Sequence, residues 1–273
     1  NTTMPGLIGS ILIGSLTARM LAIIKNKPYY PIHHVEAHVY ANFLGDNPPQ
    51  LPFLALIISG GHSQIVLFRD HGDYELIGQT ADDAIGEAFD KVAKIIGLPY
   101  PGGPAIAEAA KSGNPDRFHF PKAHMKNKYD FSFSGLKTAV LREVQSVVHV
   151  DHTFPSTKLA ERLDEATRNN FAASFQRVAC ETLVDKLVAA TNEFQPKSVV
   201  IAGGVAANQE LRRQLRERLP IPITFPAPSL CTDNAAMVAS LGYFKARKVE
   251  PTDPRYLEVI PSISMSQTVW ANS

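Results

Sequence analysis

Thiol chemistry is nearly absent from this chain of 273 residues, which has two cysteines, Cys180 and Cys231, and no Cys-x-x-Cys pair. That excludes a disulfide framework and a thiolate zinc site, and it fits a reducing cytoplasm. An excess of charge of one sign is also missing. Lys and Arg number 27 against 26 Asp and Glu, a formal net of +1, so any nucleic-acid binding has to rest on local patches. The zinc-protease pattern His-Glu-x-x-His does not occur, because the place after the first histidine of the best histidine pair is Val35. What is present is an ordinary globular composition, 45% hydrophobic and 19% charged, enough for one large domain or two lobes with filled cores.

The most apolar run, Leu7 to Ile24, is interrupted by Ser10, Ser15, Thr17 and Arg19, with Gly6, Gly9 and Gly14 marking close packing. It reads as a buried helix rather than a membrane span. The chain starts Asn1-Thr2-Thr3 without an initiator methionine or a signal-peptide pattern, which reads as a fragment of a longer protein. A short strand at Pro28 to Ile32 precedes a helix carrying His34 and His38. Four residues apart, they share one helix face and can grip one metal ion, although such pairs also occur packed or solvated without metal. Glu36 points about 200° away from His34. A third ligand has to come from elsewhere.

Continuous apolar runs at Phe53 to Ile58 and Gln64 to Phe68 flank Ser59-Gly60-Gly61-His62-Ser63, a hairpin with a glycine-rich tip. Its bare backbone suits an anion, although a tight turn needing positive φ would use glycine as well. Tyr74 to Thr80 forms a third strand, and Asp82-Asp83 opens a helix to about Ile96 that Gly97 stops. Tyr100 to Pro104 is a turn into a short helix, and Ser112 to Lys137 is loop-rich with clustered Lys122, His124, Lys126 and Lys128. A mostly helical stretch, broken near Thr153 to Ser156, leads to a buried strand at Ser198 to Ala202. Gly203 to Asn208 then makes a turn before a helix, a second place for phosphate or nucleoside, but neither a Rossmann nor a Walker A loop. Asn208 caps that helix or bonds a ligand. Ile221 to Phe225 adds a strand, and Asp233 stands near the N-cap of a last helix to about Lys245. Asp90 reads as a surface carboxylate by residue type.

Eight strings taken together resemble one family: Pro5 to Gly9, His33 to His38, Ile58 to His62, Gly86 to Lys91, Tyr100 to Pro104, Phe131 to Lys137, Gly203 to Asn208 and Cys231 to Asn234. Their order and spacing, up to about Ala246, are similar to the tRNA N6-adenosine threonylcarbamoyltransferases of the TsaD type. The resemblance implies an α/β, actin-like and Hsp70-like ATPase fold, two lobes around a nucleotide cleft, with further N-terminal strands ahead of Pro5. We expect residues 1–110 to belong to the N-terminal lobe and 111–273 to the second.

Carried over by motif, the resemblance implies His34, His38 and Asp233 as ligands of one divalent ion, Fe2+ or Zn2+. It implies Ile58, Ser59, Gly60, Gly61 and His62 around the threonylcarbamoyl and phosphate groups, with Asp90, Gly103 and Asn208 at the nucleotide. Ala107 departs from members that carry an acid there. The implied reaction transfers threonylcarbamoyl from its adenylate to N6 of the tRNA adenosine 3′ of the anticodon, with His62 as a candidate base and ATP or ADP as a further cleft ligand. Implied partners are tRNA, through Lys122 to Lys128 and Arg212 to Arg218, a small paralogous protein and an ATPase, with the adenylate synthase upstream. A metalloendopeptidase and a non-catalytic nucleotide-binding scaffold are the rival readings.

Overall fold

The computed structural model describes residues 2–6, 8–255, 260, 265 and 270. Leu7 of the first apolar run, and most of the chain after residue 255, lie outside the described residues. The centre is one five-stranded sheet with order β5-β4-β3-β6-β7. Its strands are β3 (Phe53–Ile58), β4 (Ser63–Asp70), β5 (Asp73–Gln79), β6 (Ser198–Ala202) and β7 (Ile223–Thr224). The hairpin β3–β4 and its continuation β5 are antiparallel, while β6 and β7 add in parallel.

Strand β3, Phe-Leu-Ala-Leu-Ile-Ile, is apolar without alternation because both faces of the sheet are covered. Leu54, Leu56 and Ile58 join the core under α3 (Ile85–Ile96) and α6 (Glu165–Phe194). Phe53, Ala55 and Ile57 join the opposite core under α2 (His34–Tyr40) and α8 (Ala235–Ala246). Helices α4 (Gly102–Ala110), α5 (Ser134–Val147) and α7 (Gln209–Arg218) complete the first face. A small parallel sheet pairs β1 (Thr2–Met4) with β2 (Ile32–His33), beside α1 (Ile8–Lys25).

Strands β3 and β6, on either side of residue 110 in sequence, pair in parallel from Phe53 to Ile57 and Ser198 to Ala202. Two expectations change. The α1 helix forms but is not buried. Its small residues Ser15 and Ala22, with Ile11, face inward, and Ile8, Leu12, Ile13, Leu16, Met20, Leu21, Ile23 and Ile24 face out at 43% to 70% exposure. By length and composition α1 could cross a membrane, with mean hydropathy 1.5. Finally, Asp82 and Asp83 do not open α3. The Ser63 hydroxyl accepts the Ile85 N–H at 2.9 Å, and Asp82 instead accepts the N–H groups of Phe133 and Ser134 at the start of α5. That is a long-range cap.

Candidate metal and ligand site

The candidate metal ligands meet because two helix caps aim them. Helix α2 starts at His34 because His33 is its N-cap, the His33 Nδ1 accepting the Glu36 N–H at 3.2 Å. The first histidine of the string is thereby a structural residue. The α8 helix is capped by Asn234, whose Oδ1 accepts the Met237 N–H at 2.8 Å. Asp233 is therefore not the cap, and its carboxylate is left to face α2. His34 Nε2 and His38 Nε2 lie 3.3 and 3.2 Å from the same Asp233 Oδ1, and all three ligand atoms fit within 4.8 Å of one another. Ligand bonds of about 2.0–2.2 Å to one ion place neighbouring donors about 3.0–3.5 Å apart, and both histidine–Asp233 separations lie in that range. Two imidazoles and a carboxylate suit iron or zinc with open positions.

Burial, and then the neighbouring His34, lower the His38 pKa to about 4, against the pull of Asp233. The imidazole is thus neutral near pH 7, as a ligand must be. His38 Nδ1 is buried and has no hydrogen-bond partner among the described residues. Glu36 faces the other way, as its helical position requires. Its Oε1 accepts the Trp270 Nε1–H at 2.9 Å, and burial pushes its pKa up to about 8.

The hairpin tip comes to the same place. His62 is half-buried, and its pKa is lowered by burial and then by His34, so its ring sits within the field of the histidine pair. Ser59 N–H donates to the His62 carbonyl at 2.8 Å and His62 N–H to Ser59 Oγ at 3.1 Å, which closes the tip. Neither Gly60 nor Gly61 has positive φ, and a Cβ on either would meet nothing within 4 Å. Turn geometry therefore does not account for the two glycines, and open space beside them does. Gly86 differs. A Cβ there would stand 2.7 Å from the Ser59 carbonyl oxygen, so it lets α3 close against the tip.

The other two glycine pairs repeat this division. Gly203, at φ +92°, is pressed against the Ile58 carbonyl, while Gly204 is open. Gly102 is packed on Asp90, whose Oδ1 accepts the Gly102 N–H at 2.7 Å, while Gly103 is open. Asp90 thus shapes the Pro-Gly-Gly turn as well as lining a cavity of 670 Å³ with Lys91, Lys94 and Tyr100. Asn208 is the α7 cap, its Oδ1 accepting the Leu211 N–H at 3.0 Å, and its Nδ2 donates to Gln176 Oε1 at 2.9 Å. Of the two alternatives for Asn208, capping is the one its side chain carries out.

The expected basic patches are mostly neutralised. Lys122 pairs with Asp185 at 2.6 Å, Lys128 with Glu193, Arg213 with Glu210 and Glu217, and Arg218 with Asp185. Asp185 and Glu193 are brought in from α6, whereas the acids that pair Arg213 lie beside it on α7. Arg212, expected in the basic patch, has a structural role as well: its Nε donates to the Ala206 carbonyl at 2.7 Å and its Nη2 to the Pro226 carbonyl at 3.4 Å, joining the glycine turn to the loop that leads to Asp233.

A family profile described as tRNA N6-adenosine threonylcarbamoyltransferase (TsaD) matches residues 1–240. The chain is 46% identical over 260 residues to a protein of that name from Thermomicrobium roseum, covering 90% of this chain and 71% of the relative. It is 43% identical over 269 residues to the one from Dictyoglomus turgidum, covering 97% and 76%. Among solved structures, full-length HypF in a phosphate- and nucleotide-bound form superposes with a TM-score of 0.57 at 14% identity, over 83% of this chain and 37% of that one. HypF from T. kodakarensis gives 0.55 at 13% identity over 85% and 39%. At such identity the likeness is one of fold.

Proposed function

We propose, on the premise that the chain belongs to the tRNA N6-adenosine threonylcarbamoyltransferase family, that it transfers threonylcarbamoyl from threonylcarbamoyl-AMP to N6 of the tRNA adenosine 3′ of the anticodon. Beyond membership, the observation that carries this reading is the convergence of His34, His38 and Asp233 beside the open Ser59–His62 tip. His34, His38 and Asp233 would hold a divalent ion, Fe2+ or Zn2+, which would supply Lewis acidity and a template for the acyl donor.

In this reading the free N–H groups of Gly60 and Gly61 donate to the donor's oxygens, where charge develops in the transition state. The adenylate lies along the open faces of Gly103 and Gly204, with Asp90 and Asn208 holding those turns in shape. The adenosine amine attacks the carbamoyl carbon. A C–N bond forms, the bond from that carbon to the phosphate oxygen breaks, AMP leaves, and the amine proton passes to a base. We assign that role to His62, whose pKa is lowered by burial and then by His34. The tRNA is the acceptor, and a paralogous protein, an ATPase and an adenylate synthase in a cytoplasmic setting complete the scheme.

Transfer of labelled threonine from purified adenylate to tRNA, with the partner proteins present, tests the reading. Label on tRNA supports it. Cleavage of a glycoprotein without label would favour the peptidase, and nucleotide binding with neither activity a scaffold. The peptidase lacks a glutamate base at the ion, since Glu36 is turned toward Trp270.

A further inference from the structure

On the side of α2 turned away from His34 and His38, a residue from near the end of the chain touches the ligand helix. Glu36 stands two residues from each histidine, about 200° around the helix from both, and is buried. Its Oε1 accepts the Trp270 indole N–H at 2.9 Å. The Tyr74 hydroxyl lies near the carboxyl but makes no hydrogen bond, and Oε2 has no partner among the described residues. Lys245 of α8 acts on Glu36 through its field, while its Nζ donates to the Pro31 carbonyl at 2.8 Å.

Trp270 is itself placed by the turn between β4 and β5. Gly72 there has φ +79°, and a Cβ on it would stand 2.5 Å from the indole carbons Cδ2 and Cε3, so the ring lies against the bare Cα. With Met265 the ring belongs to the core shared by α2 and α8. Trp270 is the chain's one tryptophan and lies beyond residues 1–240, which the family profile matches. Helix α2 has seven residues, too few to hold its own geometry in water, so contacts on its buried face set how it is rotated. An indole that fixes Glu36 therefore fixes the direction in which His34 and His38 point.

We propose that Trp270 is a positioning residue of the metal site: seated on Gly72, its N–H holds Glu36, and Glu36 holds the rotation of α2 at which His34 and His38 meet Asp233. The inference rests on the reading of those three residues as metal ligands. Binding free energies are coupled in both directions, so a docked Trp270 that favours the ion requires an ion that favours a docked Trp270. A tryptophan that only fills the core has no such link. Replacement by phenylalanine keeps an aromatic ring and removes the N–H, which leaves the Glu36 carboxyl without its donor.

The test titrates Zn2+ into the full metal-free chain, into Trp270→Phe and into Gly72→Asn, each well below its own melting temperature. Asparagine tolerates the positive φ at position 72, and its Cβ displaces the indole from the opposite side, so this variant leaves Glu36 and Trp270 chemically intact. Both variants should bind Zn2+ at least about fivefold more weakly, the lower end of coupling between linked sites. In the parent, acrylamide quenching of the single tryptophan should fall on saturation with Zn2+, and in Asp233→Asn Zn2+ should leave it unchanged. Equal Zn2+ affinity in the parent and both variants, or quenching in the parent that Zn2+ does not change, overturns this inference and leaves the metal site standing. A parent that binds no Zn2+ overturns both.

Discussion

Replacing Gly203 and Gly204 by alanine separates the glycine that builds the turn from the glycine that leaves room beside it. Gly203 has φ +92° and ψ 172°, a region that side chains avoid, and its new Cβ would stand 2.8 Å from the Ile58 carbonyl carbon and 3.3 Å from the Ile58 nitrogen. The strained backbone costs about 1–3 kcal/mol. Overpacking adds about 1–3 kcal/mol, and the opposing atoms are backbone of a central strand that cannot move aside. Gly203→Ala should therefore lose about 2–6 kcal/mol, or about 5–20 °C in Tm at a few degrees per kcal/mol. Gly204 has neither positive φ nor any neighbour within 4 Å of a new Cβ. Gly204→Ala should stay within about 0.5 kcal/mol of the parent, yet weaken adenylate binding by occupying the space beside the turn. Urea unfolding and a binding titration on both variants decide it. Equal loss of stability in the two, or unimpaired binding by Gly204→Ala, would refute the division.

Other expectations follow from the same geometry. Asn234→Ala should cost about 1 kcal/mol in urea unfolding by uncapping α8, with the metal ligands still present. Asp82→Ala should cost a similar amount, read the same way, although its helix lies some fifty residues on, because Asp82 accepts from Phe133 and Ser134. Burial raises the Asp83 pKa, but the hydrogen bonds from Lys137 and Lys91 outweigh it and hold the carboxyl below its ordinary value. A depressed carboxylate stabilises the fold above its unfolded pKa, so this contribution should fade as pH falls from about 4 downward, and Lys137→Met should flatten that part of a stability-against-pH curve. Leu56→Ala should cost about 2–5 kcal/mol, whereas Ile13→Ser, on the outer face of α1, should change urea unfolding by no more than about 0.5 kcal/mol.

The central sheet was legible because its signals are local. The run Phe53 to Ile58 and the strand Ser198 to Ala202 are apolar without interruption, as doubly covered strands are, and the glycine-rich tip lies between apolar runs. The burial of α1 was not legible. Its composition says that it is apolar, but which side faces the core depends on what packs there, and the small residues face inward. Asp82 reads as a helix opener from its position, yet its partners come from a loop fifty residues away. The histidine pair is visible from spacing, and the third ligand is not: nothing local distinguishes Asp233 from Asn234 until the cap falls on Asn234. The ion pairing of Lys122 and Arg218 was hidden for the same reason, since their shared partner Asp185 sits on α6.

The claim that bears most of the account is that His34, His38 and Asp233 together hold one divalent ion. Metal analysis of the purified chain and of Asp233→Asn measures it directly. Asp233 is 76% exposed at its side chain and caps no helix, so with metal stripped from both the variant should melt as the parent does, and bound metal should raise the parent alone. One equivalent of iron or zinc in the parent and a small fraction of that in Asp233→Asn is the predicted result. Equal metal content in the two proteins would contradict it.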